Sequence, residues 1–149
     1  MAELTKVITT TLALDTNIYA AGDTLSDLFT IMPESGKACI LQEALVIDAD
    51  EQSEPFDILF FSEIITLTGA KNAAFNVSAA DMKKCIGYIN TEAADYTDFN
   101  NSDCATFPNL GIGLESTAAN NLIYVATVSR GTGTYTAGGL VLKLTFLID

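Results

Sequence analysis

Two groups of acidic side chains are the part of this 149-residue sequence best suited to chemistry. Carboxylates with separated pKa values perform general acid–base catalysis, and carboxylate oxygens also bind divalent cations. The groups fall in two predicted loops and comprise Asp48, Asp50, Glu51 and Glu54, then Asp95, Asp98 and Asp103. Neither spacing matches a calcium loop, which needs oxygen ligands in a fixed pattern with a glycine at the bend. We therefore expect solvated turns, with an adventitious cation site as the alternative.

The sequence does not indicate nucleophilic catalysis. It contains no histidine, so neither a Ser-His-Asp nor a Cys-His arrangement can form. Cys39, Cys85 and Cys104 lack the close spacing of a metal motif. Cys39 lies in a strand-like run and Cys85 in a helix-like one, and both are expected to be small buried residues. We assign no catalytic, cofactor-binding or metal-binding residue and expect a protein that is not an enzyme and has no cofactor.

Two further features have a chemical and a structural interpretation. The segment Gly131-Thr132-Gly133 is similar to a fragment of a phosphate loop, but no lysine and no helix pattern follow it, so we predict a hairpin loop. Five aromatic residues lie within the polar segments, namely Tyr19, Tyr96, Phe99, Phe107 and Tyr135. Sugar-binding modules use such rings, usually with tryptophan, which this chain lacks. Core packing or contacts between subunits are the preferred interpretation.

Composition narrows the possible partners. Seven basic residues against nineteen acidic ones give a net charge of −12, which disfavours nucleic acid and anionic membranes. Charged residues make up only 17% and mean hydropathy is +0.32, so we expect part of the surface to be covered by other chains. A compact β core with short loops is the alternative. The first six residues lack a signal-peptide pattern, which predicts synthesis in the cytoplasm.

The elements that must position these residues are mostly strands. Two β-branched and apolar runs, residues 122–130 and 140–148, predict an antiparallel pair at the centre of a sheet. In the second run one face is expected to be apolar and consists of Leu140, Leu142, Leu144, Phe146 and Ile148. Residues 56–61 are apolar on both faces, so a second sheet or another subunit should cover them.

Shorter patterns complete the fold prediction. Residues 5–14 alternate as a strand, residues 38–47 are a strong strand, and residues 32–37 form a turn. Ser78 is the predicted N-cap of a helix that runs for two turns to Ile86 and ends at Gly87. We predict one domain over residues 1–149, an all-β, antiparallel, jelly-roll-like β-sandwich with one short helix near 79–86.

Several runs together resemble a group of small structural proteins of tailed phages and prophages. The resemblance spans most of the chain and lies in residues 56–61, 72–75, 78–81, 87–89, 122–126, 129–132 and 146–149. Similar proteins often have proline after Thr132, where this chain has Gly133, so its loop is predicted to be looser.

The resemblance implies a structural component of the virion that carries no catalytic residue. It favours a head decoration or cement protein on the capsid surface, with the major capsid protein and further copies of itself as partners. A homotrimer is the expected oligomer, and the apolar strand at residues 56–61 supports it. One alternative is a tail- or fibre-associated adhesin that binds glycans. A small hydrolase is the other, and it is disfavoured by the lack of histidine and tryptophan.

Overall fold

Strands are the main regular secondary structure of the chain. The computed structural model describes residues 5–33 and 38–148, so residues 34–37 of the turn predicted at 32–37 lie outside the described residues. The strands are β1 (Thr5–Thr11), β2 (Phe29–Ile31), β3 (Cys39–Asp48), β4 (Phe56–Phe61), β5 (Cys85–Asn90), β6 (Tyr96–Asp98), β7 (Asp103–Phe107), β8 (Ile112–Leu114), β9 (Ile123–Ser129) and β10 (Leu140–Leu147). The helical elements are α1 (Ala79–Met82) and a 3₁₀ turn (Ala93–Asp95).

The strands form two antiparallel sheets. The six-stranded sheet has the order β1-β10-β3-β7-β6, and β8 pairs with the first residues of β3. The four-stranded sheet has the order β2-β9-β4-β5. Strands β1 to β4 alternate between the sheets, as β9 and β10 do, which is the arrangement of a jelly roll. The predicted all-β, antiparallel, jelly-roll-like β-sandwich is confirmed.

The main hydrophobic core lies between the two sheets. On β10 the alternation of the sequence produces it directly, because Leu140, Leu142, Leu144 and Phe146 are buried while the residues between them are half-buried or exposed. This confirms the face predicted for the last strand. Leu12 and Leu14, which follow β1, are also buried in this core.

The last two strands do not pair with each other, so the predicted hairpin is wrong. β9 pairs with β2 and β4 in the four-stranded sheet, whereas β10 pairs with β1 and β3 in the six-stranded sheet. Residues 130–139 carry the chain from one sheet to the other. Stacked sheets lie about 10 Å apart, a gap that a two-residue turn cannot cross and this longer connection can.

The predicted helix forms near its expected start but is shorter than expected. Ser78 is the N-cap, and its hydroxyl accepts a hydrogen bond from the backbone N–H of Asp81. The helix ends at Met82, so the predicted second turn to Ile86 is wrong. Cys85 opposes Phe61 and Gly87 opposes Phe60 in β5, because pairing with β4 prevails over the local helical pattern.

Gly133 is a tightly packed residue of the inter-sheet connection. It is buried, its carbonyl accepts a hydrogen bond from the backbone N–H of Tyr19, and a Cβ built on it would lie 2.8 Å from the ring of Tyr135. That ring is itself buried and contacts the Tyr19 ring edge-on at 6.1 Å between centroids. The expectation of a looser loop at Gly133 therefore does not fit its surroundings.

Replacement of Gly133 by alanine should destabilise the fold, because the buried Tyr135 ring has little room to move. We expect Gly133→Ala to lower the free energy of unfolding by about 1–3 kcal/mol, measured by urea denaturation. Gly113→Ala is the matched control, since a Cβ there meets nothing within 4 Å. Equal stability of the two variants would contradict the packing role of Gly133.

Candidate functional surfaces

Asp48 organises the first acidic loop from inside the protein. Its side chain is fully buried at the end of β3, and its carboxylate accepts hydrogen bonds from the backbone N–H groups of Asp50, Gln52 and Ser53 at 3.0, 2.9 and 2.9 Å. Burial raises the pKa of the Asp48 carboxyl, and the three donors oppose that rise. The loop closes over this carboxylate with Glu51 and Ser53 at positive φ.

The same loop holds the connection between the sheets. The Asp50 carboxylate accepts one hydrogen bond from the backbone N–H of Thr136 at 2.7 Å and a second from the Thr136 hydroxyl at 3.0 Å. The Gln52 side-chain oxygen accepts one from the backbone N–H of Thr134 at 3.1 Å. The acidic loop therefore acts as a structural clamp on residues 130–139.

The structure brings the two acidic groups together. Asp48 opposes Asp103 between β3 and β7, and Asp103 opposes Asp98 between β7 and β6, so three aspartates form a row across three strands. One oxygen each from Glu51, Asp98 and Asp103 lies within 4.8 Å of the others. Such oxygens suit a divalent cation, but calcium takes six to eight ligands.

The prediction of solvated turns holds for part of this set only. Asp95 and Asp98 are exposed, whereas Asp48 and Asp103 are buried, and the Ser53 hydroxyl donates a hydrogen bond to Asp103. The sequence interpretation missed the burial of Asp48 and Asp103, because the donors to Asp48 are backbone groups of a loop and the donor to Asp103 is the side chain of Ser53, which is distant in sequence. The polarity of the surrounding residues suggested a solvent-exposed turn.

The aromatic residues are mostly structural. Tyr19 and Tyr135 are buried, Tyr96 and Phe107 are half-buried against the core, and Phe99 is exposed. The Tyr19 hydroxyl donates to the carbonyl of Leu25 and accepts from the N–H of Asp15, both at 2.7 Å. These residues do not form a common aromatic platform, which favours the prediction of core packing.

The cysteines are all free. Cys39 is buried, as predicted, and burial raises the pKa of its thiol to about 11. Cys85 and Cys104 are half-buried, and Cys85 lies on β5, so its predicted helical position is wrong. Pairing with β4 placed Cys85 in the sheet.

A second hydrophobic cluster covers the outer side of the four-stranded sheet. The buried members are Phe61 of β4, Ile65 of the loop after β4, and Tyr124 and Ala126 of β9. Side chains from two loops pack against them, namely Leu67, Phe75, Val77, Ala118 and Leu122. Every residue of β9 is therefore buried, although its side chains point alternately to both sides of the sheet.

Hydrogen bonds fix the covering loops in place. The N–H of Thr117 donates to the carbonyl of Ser62 at 3.1 Å, and the Ser116 hydroxyl donates to the carbonyl of Leu122 at 2.7 Å. The Asn120 amide donates to the Tyr124 hydroxyl at 2.8 Å. The cover predicted for residues 56–61 was a second sheet or another subunit. The second sheet covers one side of this strand, and loops of the same chain contribute to the cover on the other.

The outer side of the six-stranded sheet differs, because its side chains are exposed or half-buried. We call this surface the open face. Its apolar members lie on β1, β3 and β10 and are Val7, Ile40, Leu45, Ile47, Val141 and Leu147. Threonines such as Thr9 and Thr106 surround them, and Lys143 and Glu43 are its charged members among the described residues. Ile40 and Leu147 also line an apolar hollow of about 410 Å³ at one corner.

The fold and these surfaces define a jelly-roll β-sandwich with one covered and one open outer side. No protein-family model matches the chain, and no curated protein matches it. A similar solved chain comes from a structure titled "The limits of structural plasticity in a picornavirus capsid revealed by a massively expanded equine rhinitis A virus particle". Its TM-score is 0.35 at 9% identity, and the match covers 95% of this chain and 72% of that chain. The fold assignment rests on strand order and not on this distant similarity.

The described residues contain no helix that is long and apolar enough to span a membrane.

Removal of the buried Asp48 carboxylate should destabilise the fold, because three part-buried backbone N–H groups lose their acceptor. We expect Asp48→Ala to cost about 3 kcal/mol of unfolding free energy in urea denaturation. Glu115→Ala removes an exposed carboxylate and should stay within about 0.5 kcal/mol of the parent protein. A similar, small effect of both variants would show that the loop does not depend on Asp48.

The second hydrophobic cluster should stabilise the single chain without any partner. We expect Phe61→Ala to cost about 3–5 kcal/mol of unfolding free energy, because the side chain is fully buried. Ile64→Ala, at an exposed neighbouring position, should cost less than about 1 kcal/mol. The measurement is made across a range of protein concentrations. A cost that appears only where the protein is oligomeric would assign the cover of β4 to another subunit.

Proposed function

We propose that this chain is a non-enzymatic structural protein of a virus particle, specifically a decoration or cement protein on the head of a tailed phage. The observation that carries the proposal is the open face. It offers a broad apolar and hydroxyl-rich sheet surface on a protein whose net charge is −12. Such a surface is suited to assembly, because large exposed apolar patches on soluble proteins mark interaction sites.

Three features support this role. The sequence resembles small structural proteins of tailed phages, the jelly roll is an architecture of viral capsid domains, and the acidic residues best suited to catalysis serve instead as hydrogen-bond acceptors in the fold. The major capsid protein is the proposed partner on the particle.

The oligomeric state depends on a surface other than β4. The trimer implied by the resemblance stays a prediction, but the apolar strand that supported it is covered on both sides within one chain. Self-association must therefore use another surface, for which the open face is the candidate.

The alternative, a glycan-binding adhesin on the tail or a fibre, would use exposed aromatic rings close together. Tyr88 and Phe99 are the strongly exposed aromatics of the described residues. They belong to different sheets, since Tyr88 lies on β5 and Phe99 follows β6. Their separation favours the capsid role.

The proposal is tested on phage particles that lack the protein and are then supplied with it. We expect difference density in electron cryomicroscopy on the outer head lattice. Binding should be lost with Val7→Glu, on the open face, and kept with Ile18→Glu, an exposed loop position off that face. Val7 and Ile18 are 58% and 66% exposed, so neither change buries a charge within the chain. Density on the tail or no binding to particles would overturn the proposal.

A further inference from the structure

We propose that the open face binds a second copy of this chain, face to face across a two-fold axis, with Lys143 of each copy opposite Glu43 of the other. The inference rests on the proposed function and makes it more specific, because the open face then joins two copies into the unit that binds the head, in place of the homotrimer that the resemblance implies. It rests on the charge, the area and the position of residues on that face.

The charges of the face are self-complementary. Among the described residues, the ion pairs are Lys71–Asp27, Lys84–Asp81 and Arg130–Asp57, so Lys143 and Glu43 belong to none of them. The two residues lie on adjacent strands, since Lys143 opposes Leu45 and Glu43 opposes Thr145. A two-fold axis that lies in the interface and passes between them brings each lysine opposite the glutamate of the other copy.

The face also provides the neutral surface that two acidic chains need. Each copy carries a net charge of −12, so most relative orientations bring like charges together. On the open face the charges of one lysine and one glutamate cancel, and the remaining described members are apolar or uncharged polar residues. Contact through this face therefore buries apolar area while the acidic loops stay in solvent.

The area is sufficient for a specific pair. Five strands at a spacing of about 4.8 Å, with an average length of about seven residues at about 3.4 Å per residue, span roughly 550 Å². Two such faces bury about 1,100 Å² in total, which is just above the lower limit for a specific interface, about 1,000 Å². We therefore expect a reversible dimer of moderate affinity.

A charge swap tests the pair in sedimentation equilibrium. The parent protein should be in monomer–dimer equilibrium up to high micromolar concentration. Lys143→Glu and Glu43→Lys should each raise the dissociation constant at least about tenfold, and the double variant should return to within about threefold of the parent. The matched control is the double variant Lys83→Glu with Glu92→Lys, which changes two exposed residues that follow α1 and β5, outside the six-stranded sheet, and should have no effect.

A second measurement needs only the parent protein. In a mixture of ¹⁴N- and ¹⁵N-labelled protein, a zero-length carbodiimide crosslinker should join Lys143 to Glu43 between differently labelled chains. Any of four results would overturn the proposed dimer. These are a monomer at every concentration, a trimer that the single variants do not affect, no rescue by the double variant, and no mixed-label crosslink. Protein that binds phage heads as a monomer would overturn the pair alone. Paired protein that never binds heads would overturn the decoration role alone.

Discussion

The structure depends on keeping β4 and β9 out of water on both sides. These central strands of the four-stranded sheet carry apolar side chains that point alternately inward and outward, so one layer of packing cannot bury them. The six-stranded sheet provides the inner layer, and the loops after β4 and before β9 contribute to the outer one. The second hydrophobic cluster is thus a small core beside the main one.

This constraint explains why the two outer surfaces differ. Loops that contain Ile65, Phe75 and Leu122 pack over the four-stranded sheet, whereas the described outer residues of the six-stranded sheet are exposed or half-buried. The strands reflect the difference, since β10 alternates between buried and open positions and every residue of β9 is buried. This asymmetry is the reason we propose that assembly uses the open face.

The sequence predicted strands well and their partners poorly. Alternation in β10 and the apolar run in β4 are local properties, and both strands were placed correctly. The pairing of β9 and β10 depends on distant contacts, such as the hydrogen bond from Thr136 to Asp50, which no local pattern reveals. The loop cover was missed because Ile65, Leu67 and Phe75 follow neither a helical nor a strand period. The buried role of Asp48 was missed because its hydrogen-bond donors are backbone groups of a loop, which no local sequence pattern reveals.

The strand order also affects how the chain reaches this state. β9 inserts between β2 and β4, and β10 inserts between β1 and β3, so the strands that leave the ribosome last lie between those that leave it first. Until they arrive, β1 and β2 have no neighbouring strand in either sheet. Completion of the sandwich therefore waits for both of these strands, and this reliance on contacts distant in sequence is typical of slowly folding β proteins. Before β9 is synthesised, the apolar strand β4 lacks its neighbour and exposes apolar surface, so we expect chaperones to bind the nascent chain.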